Sequence, residues 1–171
     1  MWDLIKQEQF ELEVLNLLKS GRFLNHLAFG GGTMLRLCHG LDRYSVDLDF
    51  WLLNTGGKCG KSGGYEDWFD KMQRYIAGFY EVRDATDKFY TLVVELKSPD
   101  YPRSLKVEIR KDAPIARTDR AIAFSKHSML QVYVRTIPLL EMMASKVAAF
   151  IERKEIRDAY DLEFLVKKGI R

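Results

Sequence analysis

The stretch DRYSVDLDF, residues 42–50, decides how this chain is read. Asp47 and Asp49 stand one residue apart inside a run that is otherwise strand-like. In a β-strand, residues i and i+2 face the same way, so both carboxylates share one face. Val46, Leu48 and Phe50 are then expected on the other face, against the core. Two strand rises hold the acids roughly 7 Å apart. Like charges so placed on a half-buried sheet call for a cation nearby.

Immediately upstream, FGGGTMLRLCHG (29–40) reads as a strand end, a glycine turn and a short helix stopped at Gly40. Glycines let a backbone approach a ligand closely, and the free N–H groups that open a helix favour an anion such as phosphate. A phosphate cradle beside paired carboxylates is the layout for a magnesium–nucleotide, because a hard dication takes carboxylate and phosphate oxygens together. Either feature alone is common; their adjacency is the signal.

A third carboxylate lies downstream. In SLKVEIRK (104–111), Leu105, Val107 and Ile109 alternate with Lys106 and Glu108. With the apolar set buried, Glu108 can project beside the Asp pair from a neighbouring strand. Three carboxylates can hold two metals about 3.5–4 Å apart, as in-line phosphoryl displacement uses them. The bland alternative is a solvent-facing Glu108 paired with Lys106 or Arg110.

The helix PLLEMMASKVAAFIERK (138–154) adds a basic residue. At 100° per residue, Glu141, Ser145 and Glu152 cluster within about 40° and mark its wet side, while Lys146 lies about 140° from Glu141 among apolar residues. Such a lysine either snorkels outward or meets an anion inside the fold. Beside a triphosphate, contact with phosphate is the expectation. In RDAYDLEFL (157–165), Asp158 and Asp161 share a helix face. They read either as a surface pair of Asp161 with Arg157, or as carboxylates that orient Lys146 or bind the base or sugar of a nucleotide.

The remaining pattern gives helices at 3–19 and 65–77, and strands near 26–29, 46–52, 79–84, 88–96, 105–110 and 130–135. A helix begins near Pro138 with Thr136 as its N-cap, and another covers 157–167. This order predicts an α+β (α/β-like) domain with a mixed sheet flanked by helices and a C-terminal helical segment. Residues 1–135 form the core and 136–171 the helices that complete the site. GGKCGKSGG (56–64) imitates a phosphate-binding P-loop, but the first glycine of that motif would fall on Thr55, so the segment reads as a surface loop.

The chain has 171 residues, 47% of them hydrophobic and 30% charged, enough for one real core. No apolar run approaches the ~20 residues of a membrane span, and the acidic amphipathic N-terminus is neither signal nor transit peptide. Cys38 and Cys59 lack a CxxC partner, and no zinc pattern is complete, so a cytoplasmic setting is the default. Between 97 and 126, eight Lys and Arg residues face four acids, a surplus compatible with a polyanionic partner or with charge-protected strand edges.

The set GGT…DRYSVDLDF, LKVEI and LLEMMASKVAAFIERKEIRDAYDLEFL resembles the nucleotidyltransferase AbiEii/AbiGii toxin family, a branch of the DNA polymerase β-like nucleotidyltransferases, over residues 29–167. The resemblance implies a toxin of a bacterial toxin–antitoxin or phage-defence system. It implies Mg²⁺ (or Mn²⁺) on Asp47, Asp49 and Glu108, and phosphates at Gly31, Gly32 and Thr33. It puts triphosphate contacts on Arg43 and Ser45, the motif lysine on Lys146 and the paired acids on Asp158 and Asp161. NTP is the implied substrate, an RNA such as a tRNA 3′ end the acceptor, and a cognate antitoxin a partner. Two rivals are transfer to a small molecule of antibiotic type and a nucleotide-binding interaction module without turnover.

Overall fold

The computed structural model describes residues 2–53, 64–111 and 117–170. Cys59 and the P-loop-like segment 56–64 lie outside the described residues, except for Gly64. Five α-helices are described: α1 (Trp2–Ser20), α2 (Gly31–His39), α3 (Gly64–Ala77), α4 (Leu139–Arg153) and α5 (Ile156–Lys167). Seven strands accompany them: β1 (Leu27–Gly30), β2 (Asp47–Leu52), β3 (Glu81–Asp87), β4 (Thr91–Lys97), β5 (Leu105–Arg110), β6 (Asp119–Phe124) and β7 (Gln131–Thr136). They form a single mixed sheet in the order β3-β4-β5-β2-β1-β7-β6. The mixed α/β architecture expected from the sequence is what folds.

The strand alternation places β2 and β5 as their residues dictate. Leu48, Phe50, Leu105, Val107 and Ile109 are fully buried in the core with Phe10, Leu12 and Leu15 of α1. Asp47, Asp49 and Trp51 therefore take the opposite face of β2, and Lys106, Glu108 and Arg110 the same face of β5. The two strands are parallel, and their register sets Asp47 against Lys106, Asp49 against Glu108, and Trp51 against Arg110. Val46 departs from the expectation. It precedes β2 and is 36% exposed, and its carbonyl accepts a hydrogen bond from the Gln7 amide at 3.1 Å.

Gly40 ends α2 in the left-handed region (φ 81°), with its N–H donating to the Arg36 carbonyl and that of Leu41 to Leu35. Thr136, expected to cap α4, instead ends β7. It pairs with Phe29 of β1, and the Ile137 N–H donates to the Phe29 carbonyl at 2.9 Å. The strand thus runs on, and Pro138 (φ −55°) takes the N-cap position. Strand β6 was not expected. It is an edge strand whose large apolar residues, Ile122 and Phe124, point to solvent while only Ala123 is buried, so no inward period marks it.

Candidate active site

The glycine turn is shaped by the acid pair. Gly31 opens α2 at φ +72°, and a Cβ there would run into the Asp49 carboxylate. Gly32 lies under the side chains of Arg43 and Ser45; a Cβ would sit 2.7 Å from Arg43 Nη2 and 3.0 Å from Ser45 Oγ. Gly31 is therefore demanded by its backbone and by Asp49, while a side chain at position 32 would push Arg43 aside. Thr33 is fully buried, and its hydroxyl donates to the Asp47 carbonyl at 2.6 Å. That bond ties the first turn of α2 to the strand carrying the acids, and it leaves the hydroxyl committed.

Burial pushes the Asp49 carboxyl up to about 6, with Asp47 and Glu108 adding to the rise and Lys146 and Lys106 opposing it. Asp47 is raised too, first by burial, with Lys106 pulling it down and Glu108 pushing it up. Lys106 provides the nearest cation: its Nζ is 3.8 Å from Asp47 Oδ2 and 3.2 Å from Glu108 Oε2. Burial disfavours that ammonium, yet the carboxylates more than reverse the effect and its pKa is raised.

A cleft of about 640 Å³ opens over this face. Gly31, Asp49, Trp51, Glu108 and Arg110 form one wall, and Ser145, Lys146, Glu152 and Arg153 of α4 belong to the other. The Arg110 guanidinium lies 5.8 Å from the centre of the Trp51 ring. The cleft thus grades from carboxylates at one end to an aromatic–cationic pair at the other.

Lys146 is 9% exposed, which rules out snorkelling to solvent. Its Nζ lies 2.7 Å from Asp161 Oδ2 and 3.5 Å from Asp158 Oδ1. Arg43 makes a fork on Asp161, with Nε and Nη2 each 2.6 Å from a carboxylate oxygen. Arg153 Nη2 donates to both oxygens of Asp158 at 3.0 and 3.1 Å. Two fully buried carboxylates are thus shared among three cations, a surplus of one positive charge facing the acid cluster. The surface-pair alternative for Asp161 does not hold, since Arg157 turns to Glu155 instead.

The structure therefore gathers Gly31, Asp49, Glu108 and Lys146 in the cleft, with Asp47 joined to them through Lys106. Arg43, Asp158 and Asp161 stand behind Lys146, Ser45 over Gly32, and Thr33 beneath β2. Among the described residues, no group of three His, Cys, Asp or Glu side chains is drawn close enough to enclose a metal as they stand. The donor set nonetheless suits a hard dication: three oxygen-bearing acids whose mutual repulsion is offset by Lys106 and Lys146. Sequence reading missed Arg153 and Trp51, whereas the pairing of Glu108 with Lys106, which it named as the alternative to a metal role, is present at 3.2 Å. Trp51 follows from the period of two already used for the acids. Arg153 is hidden by Lys154, whose left-handed backbone (φ 55°) breaks the helix between it and Asp158.

Paired acids on adjacent parallel strands, a glycine turn opening the preceding helix, and a basic helix across the cleft define the layout of a nucleotidyltransferase. The chain belongs to the family of nucleotidyl transferase AbiEii toxins of type IV toxin–antitoxin systems, whose family model matches residues 16–171. The fold is also that of JHP933 from Helicobacter pylori (21% identity, TM-score 0.59, covering 95% of this chain and 66% of that one). A second H. pylori protein, described as a candidate nucleotidyltransferase, is alike to the same degree (22% identity, TM-score 0.59, covering 93% and 68%). The chain thus spans about two thirds of the length of each. No curated protein matches it significantly.

Proposed function

We propose that this chain is a divalent-metal-dependent nucleotidyltransferase that moves a nucleoside monophosphate from an NTP to an acceptor hydroxyl. The proposed acceptor is RNA, such as the 3′ end of a tRNA, and the proposed setting is that of a cytoplasmic toxin opposed by a cognate antitoxin. The observation that carries the reading is the direct pairing of Asp49 with Glu108 across β2 and β5, in the cleft that Gly31 and Lys146 also line.

Asp47, Asp49 and Glu108 would hold Mg²⁺ or Mn²⁺, which supplies Lewis-acid charge at the α-phosphate and lowers the pKa of the attacking hydroxyl. The acceptor oxygen bonds to the α-phosphorus while the bond from that phosphorus to the bridging oxygen breaks, and pyrophosphate leaves in line. Glu108 accepts the hydroxyl proton. The backbone N–H groups of Gly31 and Gly32 face the phosphates at the start of α2, with Arg43 and Ser45 beside them. Lys146 brings the surplus charge of its network to the triphosphate, and Asp158 and Asp161 fix where that ammonium points. Trp51 offers the base an apolar ring, with the Arg110 guanidinium 5.8 Å from its centre adding positive charge. Thr33 fixes the turn to β2. Residues 136–171 complete the site by contributing α4 and α5. No described helix is long and apolar enough to cross a membrane.

The test is transfer of α-labelled NTP to RNA. Label should enter the RNA with Mg²⁺ or Mn²⁺ and not in chelator, and pyrophosphate release should rise when tRNA is added. Equal incorporation in chelator would sink the metal mechanism. Turnover on small hydroxyl or amine acceptors but not on RNA would redirect the acceptor.

A further inference from the structure

The chain itself supplies a cation to two of the three clustered acids, Asp47 and Glu108. Lys106 stands opposite Asp47 in the β2–β5 register and two residues before Glu108, on the same face. Its ammonium touches an oxygen of each, at 3.8 and 3.2 Å. These side chains lie at the open side of the cluster: Lys106 is 43% exposed, Asp47 37% and Glu108 36%. Among the described residues, the other cations that act on Asp47 and Asp49 are engaged elsewhere. Lys146 is held by Asp158 and Asp161, Arg43 by Asp161, and Arg157 by Glu155.

We propose that Lys106 is an exchangeable counter-ion. In the metal-free protein it holds Asp47 and Glu108 against their mutual repulsion, and it yields their oxygens to an incoming divalent cation. This rests on the metal-dependent reading above. The oxygens that Lys106 engages belong to two of the three proposed metal ligands, and two cations a few ångströms apart repel. A lysine suits the exchange because its charge is compact and rides on a flexible four-carbon stem. Once displaced, the ammonium stays at the mouth of the cleft, where the phosphates of an entering nucleotide accept it. Metal alone must therefore compete with Lys106, whereas metal arriving with nucleotide gives the ammonium a new partner.

Mn²⁺ titration of the nucleotide-free protein tests this, with calorimetry as the readout, on wild type, Lys106→Met and Lys106→Arg. Removing the competitor should tighten Mn²⁺ about three- to tenfold in Lys106→Met, the effect expected from two half-exposed ion pairs. Lys106→Arg keeps the charge and should stay near wild type. Equal or weaker binding in a folded Lys106→Met protein overturns the exchange while leaving the metal site standing. A wild type that binds no Mn²⁺ removes the metal reading and this inference with it. A second measurement needs no variant: amine-reactive labelling of wild-type Lys106, read by mass spectrometry, should accelerate when saturating Mn²⁺ is added without nucleotide. An unchanged or slower rate shows that the ammonium is not released.

Discussion

At Gly31, backbone and chemistry meet in one residue. Its φ of +72° lies where a Cβ costs roughly 1–2 kcal/mol, and that Cβ would also displace the Asp49 carboxylate. Gly31→Ala should therefore lower the thermal midpoint by several degrees and reduce transfer together; a fully active, equally stable variant would separate the turn from the acid. Asp49→Asn should behave in the opposite way. Its carboxyl is raised to about 6 by burial and by Asp47 and Glu108, so the ionised form is the disfavoured one in the folded protein. Above the ordinary aspartate range the unfolded chain is ionised and the folded chain resists it, so this group costs stability as pH rises towards 6. In chelator at pH 7.5, Asp49→Asn should melt no lower than wild type, while transfer with metal falls by more than about a hundredfold. A metal-free Asp49→Asn protein that unfolds easily would mark the carboxylate as structural.

At the scale of elements, the two C-terminal helices are joined by charge rather than by a broad apolar seam. The contacts of Lys146 with Asp161 and Asp158, and those of Arg153 with Asp158, cross from α4 to α5, while Arg43 ties α5 to the loop before β2. The residue types were legible in the sequence: a lysine on an apolar face, and acids three apart. Their partnership was not, because a break at Lys154 sets the relative rotation of the two helices and no period spans it. The register that sets Glu108 beside Asp49 was equally hidden, since β2 and β5 are separated by more than fifty residues, whereas the face of each acid followed from alternation alone. Removing one partner from a buried ion pair leaves uncompensated charge, at a cost of about 3–5 kcal/mol. Lys146→Met is expected to approach that range, moderated by the arginines that remain on Asp158 and Asp161. In a double-mutant cycle with Asp161→Asn, the combined loss should be clearly smaller than the sum. Additive losses in denaturant melts would show that Lys146 and Asp161 do not depend on each other.

Across the whole molecule, the acid face of the sheet is backed by a second set of buried polar groups. The sequence marked α1 as an amphipathic helix through its leucines, yet the fold also buries Gln7, Glu8 and Glu11. Glu8 is satisfied by Arg36 and by the Ser125 hydroxyl. Glu11 is fully buried, and neither of its carboxylate oxygens finds a hydrogen-bond partner among the described residues. Burial pushes its carboxyl well above the ordinary glutamate range, and Glu8 and, more weakly, Asp47 push the same way, against Arg36. The sign of the resulting pH dependence is fixed. Below about pH 4 both folded and unfolded chains carry the proton, and Glu11 imposes no penalty. As pH rises past the ordinary glutamate value the unfolded chain loses its proton while the folded chain keeps it, so stability falls until the folded carboxyl itself ionises. Glu11→Gln has nearly the same shape and no titration. Its thermal midpoint should match that of wild type near pH 4 and exceed it increasingly towards neutral pH, with both proteins measured in chelator. A constant difference at every pH, or a wild type that is the more stable at neutral pH, would mean that Glu11 is ionised and paired inside the fold.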